Sequence, residues 1–329
     1  MDGLGSTRAE GEEAAMVLEL SGVSAALGPA TAILAQHGTG LLDQGAVLAQ
    51  EAATEPVTWG QAVILGILQG LTEFLPISSS AHLLVFSQVF GWTDPGAAFT
   101  AVTQIGTESA VLIYFWRDIS RIVTAWFGQF AHPETRGSPD VRMGWLVIVG
   151  SIPIGVLGLV FADQIETVAR NLWLVAFTLI TFGILLGIAD RTSRSIKGLT
   201  DLSVRDGLVY GACQAMALIP GVSRSGATIS AGLFMGYTRE AATRYAFLLA
   251  IPAVLASGFF QALDVGTDPA VRWGPTILAT VIAFAVGYTV IAWLIRYVST
   301  KSYMPFVIYR VALGLVLVVL LAAGVLESS

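Results

Sequence analysis

Two short stretches hold most of the reactive side chains in an otherwise very apolar chain. "QGLTEFLPISSSAHL" (69–83) carries Gln69, Glu73, Ser78, Ser79, Ser80 and His82, and "QAMALIPGVSRSGAT" (214–228) carries Ser223, Arg224, Ser225 and Thr228. On a helix Gln69 and Glu73 share a face, and so do Ser79 and His82. A serine or a histidine offers a nucleophile and a proton carrier, and a carboxylate offers a base or a cation ligand. An arginine such as Arg224 forks two hydrogen bonds to a phosphate. A helix that opens at Ser78 presents free N–H groups and the hydroxyls of Ser78, Ser79 and Ser80 to an anion. In the second stretch Ser223, Ser225 and Thr228 add hydroxyls, and Gly221 and Gly226 let the backbone come close to a ligand. The combination suggests a phosphate site in which Glu73, Ser79, His82 and Arg224 carry the chemistry. Plainer readings stand beside it: serines that only cap helices, a packed histidine, and a Glu73–Arg224 pair that only ties two segments together.

The elements that must position these groups are membrane helices. The chain has 329 residues, 55% hydrophobic and 12% charged, where a soluble domain carries about a quarter charged residues. Apolar runs such as "GWLVIVGSIPIGVLGLVFA" match the roughly 20 residues that cross a bilayer. Crossing helices are expected at about 97–116, 143–162, 172–190, 240–262, 275–296 and 303–325. Both reactive stretches lie instead in segments, 58–90 and 207–236, broken midway by proline. Broken backbone at membrane depth is tolerated where it lines a polar cavity, so these read as re-entrant helical hairpins. In the first, Thr58 is the expected N-cap of a helix running to Phe74 and stopped by Pro76, and Ser78 caps the next.

Charge and alignment give the orientation. Arg117, Arg121, Arg136 and Arg142, then Arg191, Arg194, Lys197 and Arg205, then Arg296 and Lys301 occupy alternate connections, while the others hold only Arg170 and Arg272. The richer set belongs in the cytoplasm, which puts both termini outside. The two stretches align without a gap, Gln69 over Gln214, Ser78 over Ser223, Ser80 over Ser225 and Ala81 over Gly226. Three expected crossings separate them, so the halves, about 58–190 and 207–325, form an inverted-topology repeat whose hairpin tips meet near the midplane. The fold class is thus an all-α polytopic membrane protein with six transmembrane helices and two re-entrant hairpins. Trp59, Trp92, Trp116, Trp145, Trp173 and Trp273 fall near span ends, as interfacial anchors do. The single cysteine, Cys213, excludes an intramolecular disulfide and is expected to pack as a small apolar residue. Residues 1–55 hold eight acids against one base and no positive signal-peptide region, and read as a disordered or loosely helical extension. Nothing in the charge pattern suggests a nucleic-acid partner.

"QGLTEFLPISSSAH" and "PGVSRSGATIS" closely resemble the motifs of the undecaprenyl-pyrophosphate phosphatase family, also called bacitracin-resistance proteins. The likeness runs from about Thr58 to the C-terminus and includes "TQIGTESAVLIYFWRD", "FLLAIPAVLASG" and "PFVIYRVALG". It implies a bacterial inner-membrane enzyme that removes the terminal phosphate of undecaprenyl diphosphate, returning the lipid carrier to peptidoglycan synthesis. It also implies a divalent cation, Mg2+ or Ca2+, and a site open to the outer side. The family's acidic motif falls on Gln69 and Glu73, the expected cation ligands; its serine and histidine on Ser79 and His82; its arginine motif on Ser223, Arg224 and Thr228. Many members have a glutamate where this chain has Gln69, which leaves Glu73 as the carboxylate of the pair. Ser79 is the expected nucleophile with Glu73 or His82 taking its proton, and His82 as nucleophile is the alternative. Glu108 is not required by the resemblance and is expected to make a structural hydrogen bond to a neighbouring helix. A transporter that flips a polyprenyl phosphate is the competing class, because inverted repeats with broken helices are a transporter architecture. The oligomeric state is open, a homodimer included.

Overall fold

The computed structural model describes residues 57–92, 96–161, 171–265 and 272–326, so the expected extension at 1–55 lies outside the described residues. These residues form α1 (Trp59–Thr72), α2 (Ser79–Val89), α3 (Gly96–Tyr114), α4 (Trp116–Ala131), α5 (Pro139–Val160) and α6 (Leu172–Thr192). They continue with α7 (Val204–Ala215), α8 (Arg224–Phe234), α9 (Arg239–Val265), α10 (Trp273–Val298) and α11 (Met304–Ala322). Four of these, α5, α6, α10 and α11, are long and apolar enough to cross a membrane. The other two expected spans are also present as helices, α3 and α9, but carry Thr103, Gln104, Thr107 and Glu108, and Arg239, Glu240, Thr243 and Arg244. Those polar groups lower the apolar content of two helices that, as described below, line a cavity.

Each broken segment opens on the same device. Thr58 caps α1 and Ser203 caps α7, and in both a capping box is closed from the third helical residue, Gln61 and Asp206 respectively. Two free N–H groups are satisfied at each start, which fixes where the helix begins. α1 ends at Thr72, slightly before the expected Phe74, because Pro76 disfavours helical backbone just ahead of it. α7 ends at Ala215 and passes through a 3-10 turn, Met216–Leu218, before Pro220.

The connection expected as a loop over 117–142 is a correction, since α4 occupies most of it. Its apolar residues Trp116, Val123, Phe127 and Phe130 are exposed, while Ile122 and Gln129 are buried. Interleaved arginines, an aspartate and polar residues make the stretch look like a cytoplasmic loop, and a 3.6-residue apolar period with one polar face is easily missed when charge is counted first.

The packing recurs in pairs. α1 and α3 both lie on α10; α7 and α9 both lie on α5; α3 meets α9 and α6 meets α11. Close approaches use small residues, as expected where lipid gives helices no hydrophobic reason to associate. A β-carbon at Gly70 of α1 would stand 2.8 Å from Val286, and one at Gly211 of α7 would stand 2.9 Å from the Cα of Gly150. At the ends of α9 and α6, Arg239 Nε donates to Asp190 Oδ1 at 2.5 Å, and Asp190 Oδ2 accepts from the Tyr303 N–H at 3.1 Å. Cys213 is half-buried and unpaired in any disulfide.

Candidate active site

The breaks in the two hairpins meet. Glu73 sits at the C-cap of α1 and Ser79 is the first residue of α2, so a six-residue turn folds the serine back over the carboxylate. Ser79 Oγ donates to Glu73 Oε2 at 2.8 Å, and Gln69 Nε2 donates to the same oxygen at 3.1 Å. From the other hairpin Arg224, first residue of α8, donates through Nη2 to Glu73 Oε1 at 2.7 Å. The pair is mostly shielded, with the Arg224 and Glu73 side chains 21% and 10% exposed. A charge-assisted pair in shielded surroundings is stabilising where either charge left alone would be costly. A second tie runs from Ser225 Oγ to the Leu75 carbonyl at 3.1 Å.

Ser78 and Ser223 hold the turns in unusual backbone, with φ of 74° and 70°. Positive φ at a residue with a β-carbon costs of order 1–3 kcal/mol and persists only where the surroundings impose it. The strained turns start α2 at Ser79 and α8 at Arg224, the two residues that bond Glu73, and a helix start with free N–H groups is the kind of end that attracts anions. Ser223 Oγ accepts from the Gly226 N–H at 3.2 Å, a true N-cap. Ser78, expected to cap α2, makes no such bond, which corrects that expectation: its hydroxyl lies 3.3 Å from Ser80 Oγ instead. Ser80 itself is exposed.

His82 does not face this cluster. Its Nδ1 is 2.7 Å from the Ser78 carbonyl, which accepts only, so Nδ1 carries the proton there. Its Nε2 then accepts from the Tyr309 hydroxyl, also at 2.7 Å, and the two rings stack with an interplanar angle of 9°. Both nitrogens are thus committed to holding the Ser78 turn against α11. Thr228 is fully buried and donates back into its own helix, to Arg224 O at 2.8 Å. Gly221 has φ of 83° and presses on α6, where a β-carbon would stand 2.9 Å from Val175 O and collide with the Thr178 hydroxyl. Gly226 leaves space for a guanidinium, since its β-carbon would come within 2.6 Å of Arg310 Nη1.

That guanidinium was not among the expected site residues. Arg310 of α11 is completely buried, with Nη1 donating to Pro76 O at 3.2 Å and Nη2 to Gly221 O at 2.9 Å and Val222 O at 3.0 Å. It therefore fastens both breaks at once. A lone arginine inside an apolar span was a readable signal, because such a residue is rare without a role.

A cavity opens over the cluster, and its polar lining is Glu73, Thr107, Glu108, Arg224 and Ser225. The rest of its wall is apolar, with Val111 and Leu112 from α3 and Ile251, Val254 and Leu255 from α9. Glu108 corrects an expectation: instead of making a structural hydrogen bond, its Oε1 is buried and unpartnered. Gln69 Oε1 is likewise buried without a partner. Among the described residues no three His, Cys, Asp or Glu side chains form a ready metal cluster. Oxygen atoms without donors beside a carboxylate nevertheless suit a hard divalent cation that takes further ligands from water or phosphate.

The sequence matches the family described as "Bacitracin resistance protein BacA" over residues 62–316. It is 61% identical over 283 residues to "Undecaprenyl-diphosphatase 2" of Streptomyces coelicolor, covering 82% of this chain and 97% of that protein. It is 59% identical over 277 residues to "Undecaprenyl-diphosphatase" of Micrococcus luteus, covering 83% and 100%. "Undecaprenyl-diphosphatase 3" of Frankia alni is 58% identical over 286 residues, covering 82% and 96%.

Proposed function

Because the chain belongs to the bacitracin resistance protein BacA family, we propose that it hydrolyses undecaprenyl diphosphate to undecaprenyl phosphate and inorganic phosphate. The activity recycles the lipid carrier of peptidoglycan synthesis and confers bacitracin resistance. The observation that carries the mechanism is the Glu73 carboxylate, bonded at one oxygen to the Ser79 hydroxyl and at the other to Arg224. A nucleophile, its base and an anion-binding group are already in contact at the polar end of an apolar cavity.

In this reading the isoprenoid lies along Val111, Leu112, Ile251, Val254 and Leu255, and the diphosphate reaches Ser79. Ser79 Oγ attacks the terminal phosphorus while Glu73 Oε2 accepts its proton, the bond to the bridging oxygen breaks, and Glu73 passes that proton to the departing undecaprenyl phosphate and is a carboxylate again. Water then cleaves the phosphoserine, with Glu73 as the base. Arg224 and the N–H groups opening α2 and α8 hold the phosphoryl oxygens, fixed donors aimed where charge builds up. Glu73 and Gln69 would hold a Mg2+ or Ca2+, which when bound neutralises part of the diphosphate charge. The commitment of both His82 nitrogens to Ser78 and Tyr309 favours Ser79 over His82 as nucleophile.

The chain is a membrane protein. In our reading α3 and α9 complete six crossings with the four apolar helices, both termini lie outside, and α1–α2 and α7–α8 are oppositely directed re-entrant hairpins. The doubled packing scheme, α1 on α10 with α7 on α5 about the pairs α3–α9 and α6–α11, supports that inverted repeat. Such a chain resides in the bacterial inner membrane with its cavity open to the outer face.

The test is phosphate release from undecaprenyl diphosphate by detergent-purified protein with Mg2+ or Ca2+. Release that disappears in Ser79→Ala is expected, together with an acid-stable phosphoenzyme. No release, in micelles where no sidedness exists, would leave the lipid-flipping reading in front.

A further inference from the structure

We propose that Glu108 is a third oxygen ligand of a divalent-cation site completed by Glu73 and Gln69. Glu108 lies outside both reactive stretches, yet it lines the same cavity as Glu73 and Arg224. Its Oε1 is buried and has no hydrogen-bond partner. Its Oε2 lies 3.1 Å from where a β-carbon of Gly258 would stand, so α9 offers this side of the carboxylate a bare glycine rather than a donor.

Gln69 is an independent pointer. It is 3% exposed, and its Nε2 donates to Glu73 Oε2, so its amide oxygen is held beside that carboxylate. That oxygen too is buried without a partner. Glu73 itself accepts three hydrogen bonds, from Gln69, Ser79 and Arg224, where an ionised carboxylate has about four lone-pair positions. Two carboxylates, Glu73 and Glu108, thus line one apolar cavity, Gln69 is bonded to the first of them, and the cation among them, Arg224, is already paired to Glu73. A desolvated carboxylate such as Glu108 is tolerated when paired or when it coordinates a metal. Carboxylate and amide oxygens are the donors that Mg2+ and Ca2+ take. The amide at 69 brings no charge, and Glu108 supplies the second negative charge from across the cavity. This deepens the phosphatase reading and rests on it for the remaining ligands, which the diphosphate provides.

The experiment uses full-length protein in detergent, without lipid substrate, titrated with Mn2+ as the probe and followed by the loss of the free-ion paramagnetic resonance signal. Glu108→Gln, of the same shape, should weaken Mn2+ binding by about tenfold or more. Glu108→Asp, which keeps the charge one methylene further back, should fall in between. The Mn2+ concentration for half-maximal phosphate release should shift in the same order. Unchanged Mn2+ affinity in Glu108→Gln overturns the proposal even if turnover falls, and so does a wild-type chain that binds no Mn2+. A wild-type chain that binds Mn2+ but releases no phosphate would defeat the phosphatase reading instead, with the cation site intact.

Discussion

The two hairpins share a scaffold and differ in what they place on it. Thr58 and Ser203 start them with the same capping box, and Ser78 and Ser223 turn them with nearly the same positive φ. Pro76 and Gly221, which occupy matching positions, both give their carbonyls to Arg310. The chemistry-bearing positions then diverge: Glu73 matches Leu218, Ser79 matches Arg224, and His82 matches Ala227. One hairpin contributes the carboxylate and the hydroxyl, the other the guanidinium, and the residues opening α2 and α8 both bond the same Glu73. α8 is buried along most of its length whereas α2 buries chiefly Ala81, His82 and Ser87. In the proposed mechanism the two matching helix starts face one phosphate, and the residues that differ between them divide base, nucleophile and positive charge.

The largest effects should come from breaking that division. Glu73→Ala and Arg224→Ala are each expected to lower phosphate release by about a hundredfold or more, the scale of removing a positioned electrostatic group. The losses should not add, because each removal leaves the other charge without its partner. Near-normal turnover in either single variant would take that residue out of the site. Moving Glu73's function to the other hairpin, as Glu73→Leu with Leu218→Glu, should give no recovery, since Leu218 lies in the 3-10 turn rather than at a helix C-cap.

Next in size is the clamp common to both hairpins. Arg310→Lys keeps a charge but loses the fork that reaches Pro76 on one side and Gly221 and Val222 on the other. Carbonyls left unpaired cost about 1–3 kcal/mol, and the tips should lose register, lowering turnover by about ten- to a hundredfold. A melting curve in detergent with parallel activity checks both. An unchanged melting temperature would mean that the Glu73–Arg224 pair and the Ser225–Leu75 bond hold the tips without Arg310.

Much of this division was legible in sequence. The proline breaks marked where both segments turn between helices, and two charges in apolar surroundings left a Glu73–Arg224 pair open beside the phosphate reading. What escaped was set by tertiary direction rather than residue type. The ring of His82 turns to Tyr309, 227 positions away, and the hydroxyl of Thr228 turns into its own helix. Neither direction leaves a trace in spacing. Arg310 carried a readable signal in its isolation within an apolar span, but its carbonyl partners are backbone atoms, which no side-chain motif announces. Glu108 sits where helices often bond across an interface, and only the packing shows that its Oε1 has no partner and that a glycine, Gly258, faces its Oε2.

A smaller effect should separate the two turn serines. Both sit at positive φ, where glycine removes strain of about 1 kcal/mol. Ser78 makes no cap bond, so Ser78→Gly is expected to raise the melting temperature. Ser223 caps the Gly226 N–H, a bond worth about 1 kcal/mol, so in Ser223→Gly gain and loss should nearly cancel. Equal shifts in the two variants would mean that the Ser223 cap contributes nothing.

The smallest effects belong to the paired glutamines, and they test whether a matching position implies a matching role. Gln214 is fully buried with neither amide atom partnered, and the residue one turn on is Leu218. Replacing an unsatisfied buried amide by an apolar group of similar size removes a desolvation cost. Gln214→Leu should therefore leave turnover unchanged and stability equal or higher. Gln69 has a polar neighbour one turn on, and its amide donates to Glu73. Gln69→Glu gives up that donated bond but offers a cation a charged oxygen in place of a neutral one, so most activity should remain and half-maximal release should need less Mg2+. If Gln69→Glu is inactive at every Mg2+ concentration while Gln214→Leu behaves as wild type, then the Gln69 amide serves as a hydrogen-bond donor to the base, and the cation draws its ligands from elsewhere in the cavity.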